Sequence, residues 1–257
     1  MKNNTVILFV THLINDDILG RMSILKKQTD SFADVFLLYQ KEDNDELILP
    51  EDIDCYAFNI EKLNELGYKP ICKSIIPGSN HFSLLRFYKD YPSYNHYWNI
   101  EYDVCFSGEW SYFFSEFNSV EADFISSHVQ RFADYPEWMW WRSMDTRLLI
   151  LPQDKYVRSF NPIYRISNRA LALIDSALFN GLKGHHEVVI PTVLSHYDLK
   201  IVDFGGDGEF VLQGYQNKFY LPSPIKNEPN GKGGTMCCRP VFKSIGDVPD
   251  KLYHPVK

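Results

Sequence analysis

Short apolar runs alternate with amphipathic stretches along most of this chain, and that alternation restricts it to an α/β arrangement. Thr5 to Val10 reads as a buried strand, Asp16 to Thr29 as a helix with Ile18, Met22 and Leu25 on one face, and Asp34 to Tyr39 as a second strand. A β-α-β opening of this kind supplies two parallel strands to one sheet. A strand at Cys55 to Phe58 and a short helix at Ile60 to Leu66, closed by Gly67, continue the pattern. Ser79 to Lys89 is predicted helical, stopping before Pro92. His96 to Phe106 then reads as one apolar, aromatic strand interrupted by two acids. A helix at Ser111 to Val120, a strand at Asp123 to His128 and an aromatic loop or loose helix at Tyr135 to Trp141 follow. Next come a strand at Pro162 to Ile166, a helix at Ser167 to Phe179, the breakers Gly181 and Gly184, a helix at His186 to Ser195 and a strand at Lys200 to Phe204. From Gly205 onwards Gly, Pro and Asn are frequent and periodicity is weak, which predicts a loop-rich tail folding back over the sheet. No internal repeat or linker divides the chain, so one domain over 1–257 is expected, with a central mixed, mostly parallel sheet flanked by helices.

A chain of 257 residues, 45% hydrophobic and 23% charged, can bury a substantial core without disulfides or metals, and disordered, collagen-like and disulfide-scaffold classes are excluded. The formal charge of −7 argues against a nucleic-acid partner. Residues 218–257 nevertheless hold seven Lys or Arg against three acids, a net of +4 that leaves −11 on the remainder. That asymmetry suits either an anionic ligand held at one place or a solvated basic tail. The apolar run Val6 to Val10 is too short for a signal peptide, and no stretch approaches the roughly 20 apolar residues of a membrane span, so a cytoplasmic location is expected. Cys55, Cys72, Cys105 and the adjacent Cys237 and Cys238 match no zinc or redox spacing and read as reduced thiols.

The two acids of HYWNIEYDVCFSGEW, Glu101 and Asp103, stand one residue apart. Residues two apart on a strand share a face, so both carboxylates can address one point. A hard divalent cation bridging phosphate oxygens fits such a pair, and ordinary strand-end salt bridges fit it as well. In its longer setting, FSLLRFYKDYPSYNHYWNIEYDVCFSG, the pair resembles the E-x-D or D-x-D signature of GT-A glycosyltransferases, with the preceding helix and its YP turn. The resemblance implies a GT-A-like fold in which Asp103, helped by Glu101, holds a metal-bound sugar nucleotide. It implies Arg86 near the nucleotide and aromatic residues Trp98, Tyr102 and Trp110 around the site, Trp110 toward the acceptor. It orders residues 1–110 as the nucleotide-sugar-binding half, where Thr11 and His12 end the first strand at the donor, and residues 111–217 as the acceptor-binding half.

In GHHEVVIPTVLSHYDLKIVDFG, Glu187 stands at a helix start, where backbone N–H groups and the helix dipole are expected to keep it ionised. It serves there either as a general base or as a helix-capping acid. The segment resembles the base motif of the inverting GT-A group that includes xylosyltransferases and branching N-acetylglucosaminyltransferases, which implies Glu187 as base. His185 and His186 do not form H-E-x-x-H and read as pocket or surface histidines. In SFNPIYRISNRAL, Arg165 and Asn168 are candidates for touching an acceptor sugar, and Ser167 is equally a helix cap.

The tail segment PIKNEPNGKGGTMCCRPVF carries Lys226, Lys232 and Arg239 among glycines but no P-loop. Some GT-A enzymes neutralise the leaving diphosphate with basic tail residues in place of a metal. Lys232 and Arg239 are candidates for that role here, in competition with Mn or Mg at the acid pair. Trp138, Trp140 and Trp141 with Tyr135 suit an acceptor platform, Trp140 foremost, for a glycan or lipid-linked glycan reached by peripheral contact with the inner membrane face. The expectation is a glycosyltransferase of surface polysaccharide assembly. A sugar nucleotidyltransferase is the first alternative, although THLINDD after the first strand is not a Gly-rich phosphate loop. A non-catalytic glycan-binding subunit is the second.

Overall fold

Local capping chemistry starts the helices where the sequence places them. Asn15 accepts from the Ile18 N–H at the head of α1 (Asp16–Thr29), which follows β1 (Thr5–Thr11) and leads to β2 (Asp34–Gln40). Asn59 likewise caps α2 (Ile60–Asn64), after β3 (Cys55–Phe58), and Gly67 ends that turn at φ +71°, a conformation glycine adopts freely. The computed structural model describes residues 3–42, 48–145, 151–224 and 233–257. The order continues with α3 (His81–Asp90), β4 (His96–Glu101), β5 (Cys105–Phe106), α4 (Trp110–Asn118), β6 (Phe124–Arg131) and β7 (Val157–Ser167). It closes with α5 (Asn168–Phe179), α6 (His186–His196), β8 (Ile201–Asp203) and β9 (Leu252–Tyr253).

Seven strands form one sheet in the order β3-β2-β1-β4-β7-β6-β8, and β5 pairs with β9 in a second, two-stranded sheet. Every neighbour pair in the large sheet is parallel except β4 with β7 and β7 with β6. The sheet is therefore mixed and mostly parallel, as the sequence predicts. Successive β1 side chains alternate between two cores. Val6 and Leu8 join Leu84, Leu85, Leu171 and Val193 from α3, α5 and α6. Ile7 and Phe9 join Met22, Trp98, Phe113 and Phe117 on the α1 and α4 side.

The predicted strand from His96 to Phe106 is broken. β4 stops at Glu101, and the Val104 N–H closes a turn onto the Glu101 carbonyl at 2.9 Å. β7 is longer than predicted, eleven residues against Pro162 to Ile166, and all eleven are buried. It lies between β4 and β6 with cores on both faces, so it needs no polar and apolar alternation and shows none. The tail does fold back. Asp203 accepts from the N–H groups of Val129, Gly205 and Gly206 and from the Tyr220 hydroxyl, which pins its first turn to the sheet. Its end returns through β9 to β5.

Candidate functional site

In an open α/β sheet ligands gather outside the carboxyl ends of the strands, at the point where strand order reverses. Here β1 to β3 run to one side and β4 begins the other, so the switch lies between β1 and β4. Val10 stands opposite Glu101 in that pairing, which puts Thr11 and His12 beside the acid pair. Thr11 turns inward and its hydroxyl bonds the Leu13 carbonyl at 2.8 Å, while the exposed His12 ring packs edge-on to Tyr102 at 5.3 Å.

Glu101 and Asp103 do converge, but through the turn after β4 and not through the two-residue period of a strand. Two residues with no motif of their own complete the site. β9 pairs with β5 and the Val256 N–H bonds the Asp103 carbonyl at 2.8 Å, so His254 and Lys257 arrive from the chain's last residues. His254 Nε2 lies 3.4 Å from Asp103 Oδ1 and 3.7 Å from Glu101 Oε2, and Lys257 Nζ lies 3.2 Å from Asp103 Oδ2. Arg21 ties the two segments together by donating to the Tyr102 and Val256 carbonyls, 3.3 Å each. Asn80, just before α3, donates to Glu101 Oε1 at 3.4 Å.

One ligand atom from each of Glu101, Asp103 and His254 lies within 4.8 Å of the others. Two features fit this set to a divalent cation. Asp103 Oδ1 is buried and its one close cationic neighbour is His254 Nε2, whose 3.4 Å contact is not a well-formed hydrogen bond. His254 Nδ1 lies 2.8 Å from the Cys237 carbonyl, which can only accept, so Nδ1 carries the proton and Nε2 faces the carboxylates. Burial works to raise the Asp103 pKa, yet His254 and Lys257 outweigh it and hold the carboxyl below its usual range. Burial likewise opposes protonation of His254, but Asp103 and Glu101 push it up to about 9. A cation held by this set would compete with that proton for His254 Nε2.

Glu187 lies within electrostatic reach of this cluster, feeling both Glu101 and His254. Its carboxyl is buried at the head of α6, 3.4 Å from the Asn161 N–H and 3.6 Å from His185 Nδ1. Burial raises its pKa to about 7; Arg158 opposes the rise and Glu101 adds to it. The helix start therefore does not keep the acid fully ionised, as the sequence suggested, because loss of water outweighs the dipole. Helix capping is served instead by His185, whose Nδ1 accepts from the Glu187 N–H at 3.4 Å. Burial brings His185 down to about 4, so it is neutral at pH 7 and its contact with Glu187 is not an ion pair. Trp140, half-buried, stacks on His185 with centroids 4.4 Å apart, which puts it one ring away from Glu187. His186 is buried and lies parallel to His81.

Other candidates lie elsewhere. Arg86 pairs with Asp90, with Glu65 at 3.8 Å, on the outer part of α3. Trp110 is buried in the aromatic core, stacked on Phe114. Arg165 donates to the backbone carbonyls of Phe117, Val120 and Ala122 at 2.6, 2.6 and 3.1 Å, which occupies its fork within the fold. Asn168 donates to the carbonyls of Pro92 and Tyr94, and Ser167 caps α5. Arg165→Met is expected to lower unfolding stability by about 3 kcal/mol in urea titration, since three carbonyls lose a charged donor. An unchanged midpoint would show that they find other partners. Arg239 is exposed on the tail, and Lys226 and Lys232 lie outside the described residues. Trp138 and Trp141 are mostly buried and line a cavity of about 550 Å³ together with Phe132, Tyr156, Glu137 and Arg142. Among the described residues no helix is long and apolar enough to cross a membrane.

No family model matches the chain, and no curated protein matches it. Several solved structures are similar at low identity. Mouse xyloside xylosyltransferase 1 is 11% identical with a TM-score of 0.36, over 77% of this chain and 81% of that one. The galactosyltransferase LgtC, in complex with donor and acceptor sugar analogs, is 6% identical with a TM-score of 0.36, over 78% and 73%. The inositol-1-phosphate CTP transferase of T. maritima is 9% identical with a TM-score of 0.38, over 79% and 85%. Sugar transfer and nucleotidyl transfer are both represented, and likenesses this distant do not choose between them.

Proposed function

We propose that the chain is a glycosyltransferase that moves a sugar from a nucleotide-sugar donor to a glycan or lipid-linked glycan acceptor, with inversion, in surface polysaccharide assembly. The observation that carries this reading is the meeting of Glu101, Asp103 and His254 at the strand-order switch, with the buried Asp103 Oδ1 turned toward the histidine Nε2. A divalent cation held there, Mn or Mg, would supply positive charge to the donor diphosphate. Lys257 adds a second cation on the same side, and Thr11 and His12 border the donor from β1. Lys232 and Arg239 retain the role of closing over the leaving group from the tail. Residues 1–110 then form the donor half and 111–217 the acceptor half, with Trp140 at the acceptor edge.

Glu187 takes the proton of the acceptor hydroxyl as that oxygen attacks the anomeric carbon. A carboxylate with a pKa near 7 is a stronger base than an ordinary one and is still ionised in about half of the molecules at neutral pH. The bond from the anomeric carbon to the diphosphate breaks as the new glycosidic bond forms, and the negative charge left on the phosphate is met by the cations.

A thermal-shift screen of nucleoside diphosphates and nucleotide sugars, with and without Mn²⁺, tests the assignment. One nucleotide series is expected to raise Tm by about 5 °C or more at 100-fold over its Kd. Stabilisation only with metal assigns the diphosphate to the acid–histidine cluster, and stabilisation without metal assigns it to the tail. Preference for a nucleoside triphosphate with a sugar phosphate would replace this reading by sugar nucleotidyl transfer. No response to any nucleotide would leave a glycan-binding subunit.

A further inference from the structure

Arg158, the second residue of β7, is an exception among the buried charges of the described residues. It is 8% exposed: its Nε is sealed from solvent with no hydrogen-bond partner, and its two terminal nitrogens keep the little contact with solvent that remains. No hydrogen bond or ion pair joins its guanidinium to any described residue. Arg165, on the same strand, also leaves its Nε unpartnered but places its two terminal nitrogens on three carbonyls. Asp123 is paired with Arg169. An unpaired charge with so little access to water is costly, and folds usually neutralise or pair it.

What surrounds Arg158 holds it in one orientation without satisfying its donors. The guanidinium carbon stands 4.4 Å from the ring centroid of Trp138 and 5.3 Å from that of Tyr135, two aromatic faces that attract the cation but leave its in-plane N–H groups free. Glu187 acts on it electrostatically but does not come within 4.0 Å. The other groups whose charge acts most on it are Tyr135, Cys238 and Tyr220, none of them a ligand of the candidate cation site. A fixed fork of donors beside the candidate base, with no acceptor, has the chemistry of a receptor for a planar or tetrahedral oxyanion.

We propose that Arg158 anchors an oxyanion subsite next to Glu187, which binds a carboxylate or phosphate group of a substrate through paired N–H donors. The subsite stands on the geometry of Arg158 alone. It rests on the sugar-transfer reading only for the question of which substrate carries the group, a sugar carboxylate or a donor phosphate. An anion bound there replaces the missing acceptor and removes the penalty of the buried cation. A neutral sugar at the same point leaves that penalty in place, so Arg158 selects for an acidic substrate.

Binding of glucuronate and of inorganic pyrophosphate to the full chain, measured by calorimetry without added metal, tests this in the wild type, Arg158→Met and Arg158→Lys. Arg158→Met is expected to weaken one of the two anions at least tenfold, the loss that follows from removing a charge-assisted pair. Loss for glucuronate identifies a carboxylate-bearing sugar, and loss for pyrophosphate identifies the donor phosphates. The Tm of Arg158→Met is expected to stay level or rise, because an apolar chain of similar length replaces an unpaired buried cation. Arg158→Lys keeps the charge without the fork and is expected to bind several-fold more weakly than wild type. Unchanged affinity for both anions in Arg158→Met overturns the proposal, and should that variant fail to fold, unchanged affinity in Arg158→Lys does the same. These affinities require no nucleotide, metal or transfer, so they stand or fall separately from the proposed reaction.

Discussion

Asp103→Asn is expected to lower sugar transfer by roughly 100- to 1,000-fold and to abolish stabilisation by Mn²⁺, the range seen when a group that meets developing charge is removed. The substitution preserves shape and removes one negative charge from a set of two carboxylates and an imidazole. Asp103 is held ionised against its burial by His254 and Lys257, so its charge is built into the fold and is not a by-product of exposure. Its pKa is depressed, so the stability it contributes is present above about 4 and is lost as pH falls through the lower folded value. His254 carries the opposite sign. Raised to about 9, it contributes stability that is complete below its unfolded value near 6.5 and disappears as pH rises through 9. A cation at this site has to displace that proton, so Mn²⁺ affinity is expected to rise from pH 7 to 9 in the wild type. Metal-dependent activity within tenfold of wild type in the variant would remove Asp103 from the site.

Glu187→Gln is expected to lower kcat by about 100- to 10,000-fold with little change in KM for the donor, the range of a positioned general base. Wild-type activity is expected to climb as pH rises through about 7, where Glu187 ionises, and this limb should be missing from the residual activity of the variant. Stability moves the other way. Because the folded pKa is raised, ionising Glu187 opposes folding. The penalty begins above the unfolded value near 4.5 and is complete above 7. The neutral amide escapes it, so Glu187→Gln should be more stable than wild type at pH 8, by up to roughly 3 kcal/mol. A glutamate that only capped α6 would behave oppositely, with a lowered pKa and a variant of reduced stability. Equal kcat in the two proteins, or a less stable variant at pH 8, would return Glu187 to a structural role.

Features set by near neighbours along the chain are legible in the amino-acid sequence. The helix Asp16–Thr29 and the strand Cys55–Phe58 match their predicted bounds because apolar spacing and a cap are contained within a few residues. The acid pair stands out because charges are rare in so apolar a run, and Glu187 because it follows two glycines at a helix start. Arg86, Trp110 and Arg165 are candidates by residue type near a motif, and residue type does not say whether a side chain faces a ligand or a carbonyl. Arg165 shows the difficulty: the three carbonyls that take its donors lie 43 to 48 residues earlier.

The sequence by itself determined the alternating elements, the burial of β1 and the carboxylates Glu101, Asp103 and Glu187 as candidates, since each depends on local periodicity or composition. Its charge count also marked the last forty residues as the basic part of an acidic protein, but it pointed to Lys232 and Arg239. Only tertiary structure decided that His254 and Lys257 meet the acid pair, because that meeting depends on two-residue strands pairing across nearly 150 residues, which no local pattern encodes. Tertiary structure also set the proton affinities. Burial raises Glu187 to about 7 although a helix start favours its charge, and two carboxylates raise His254 to about 9 although burial opposes it. In each case the balance depends on how much water is lost and which charge stands opposite, and both are properties of the packed molecule.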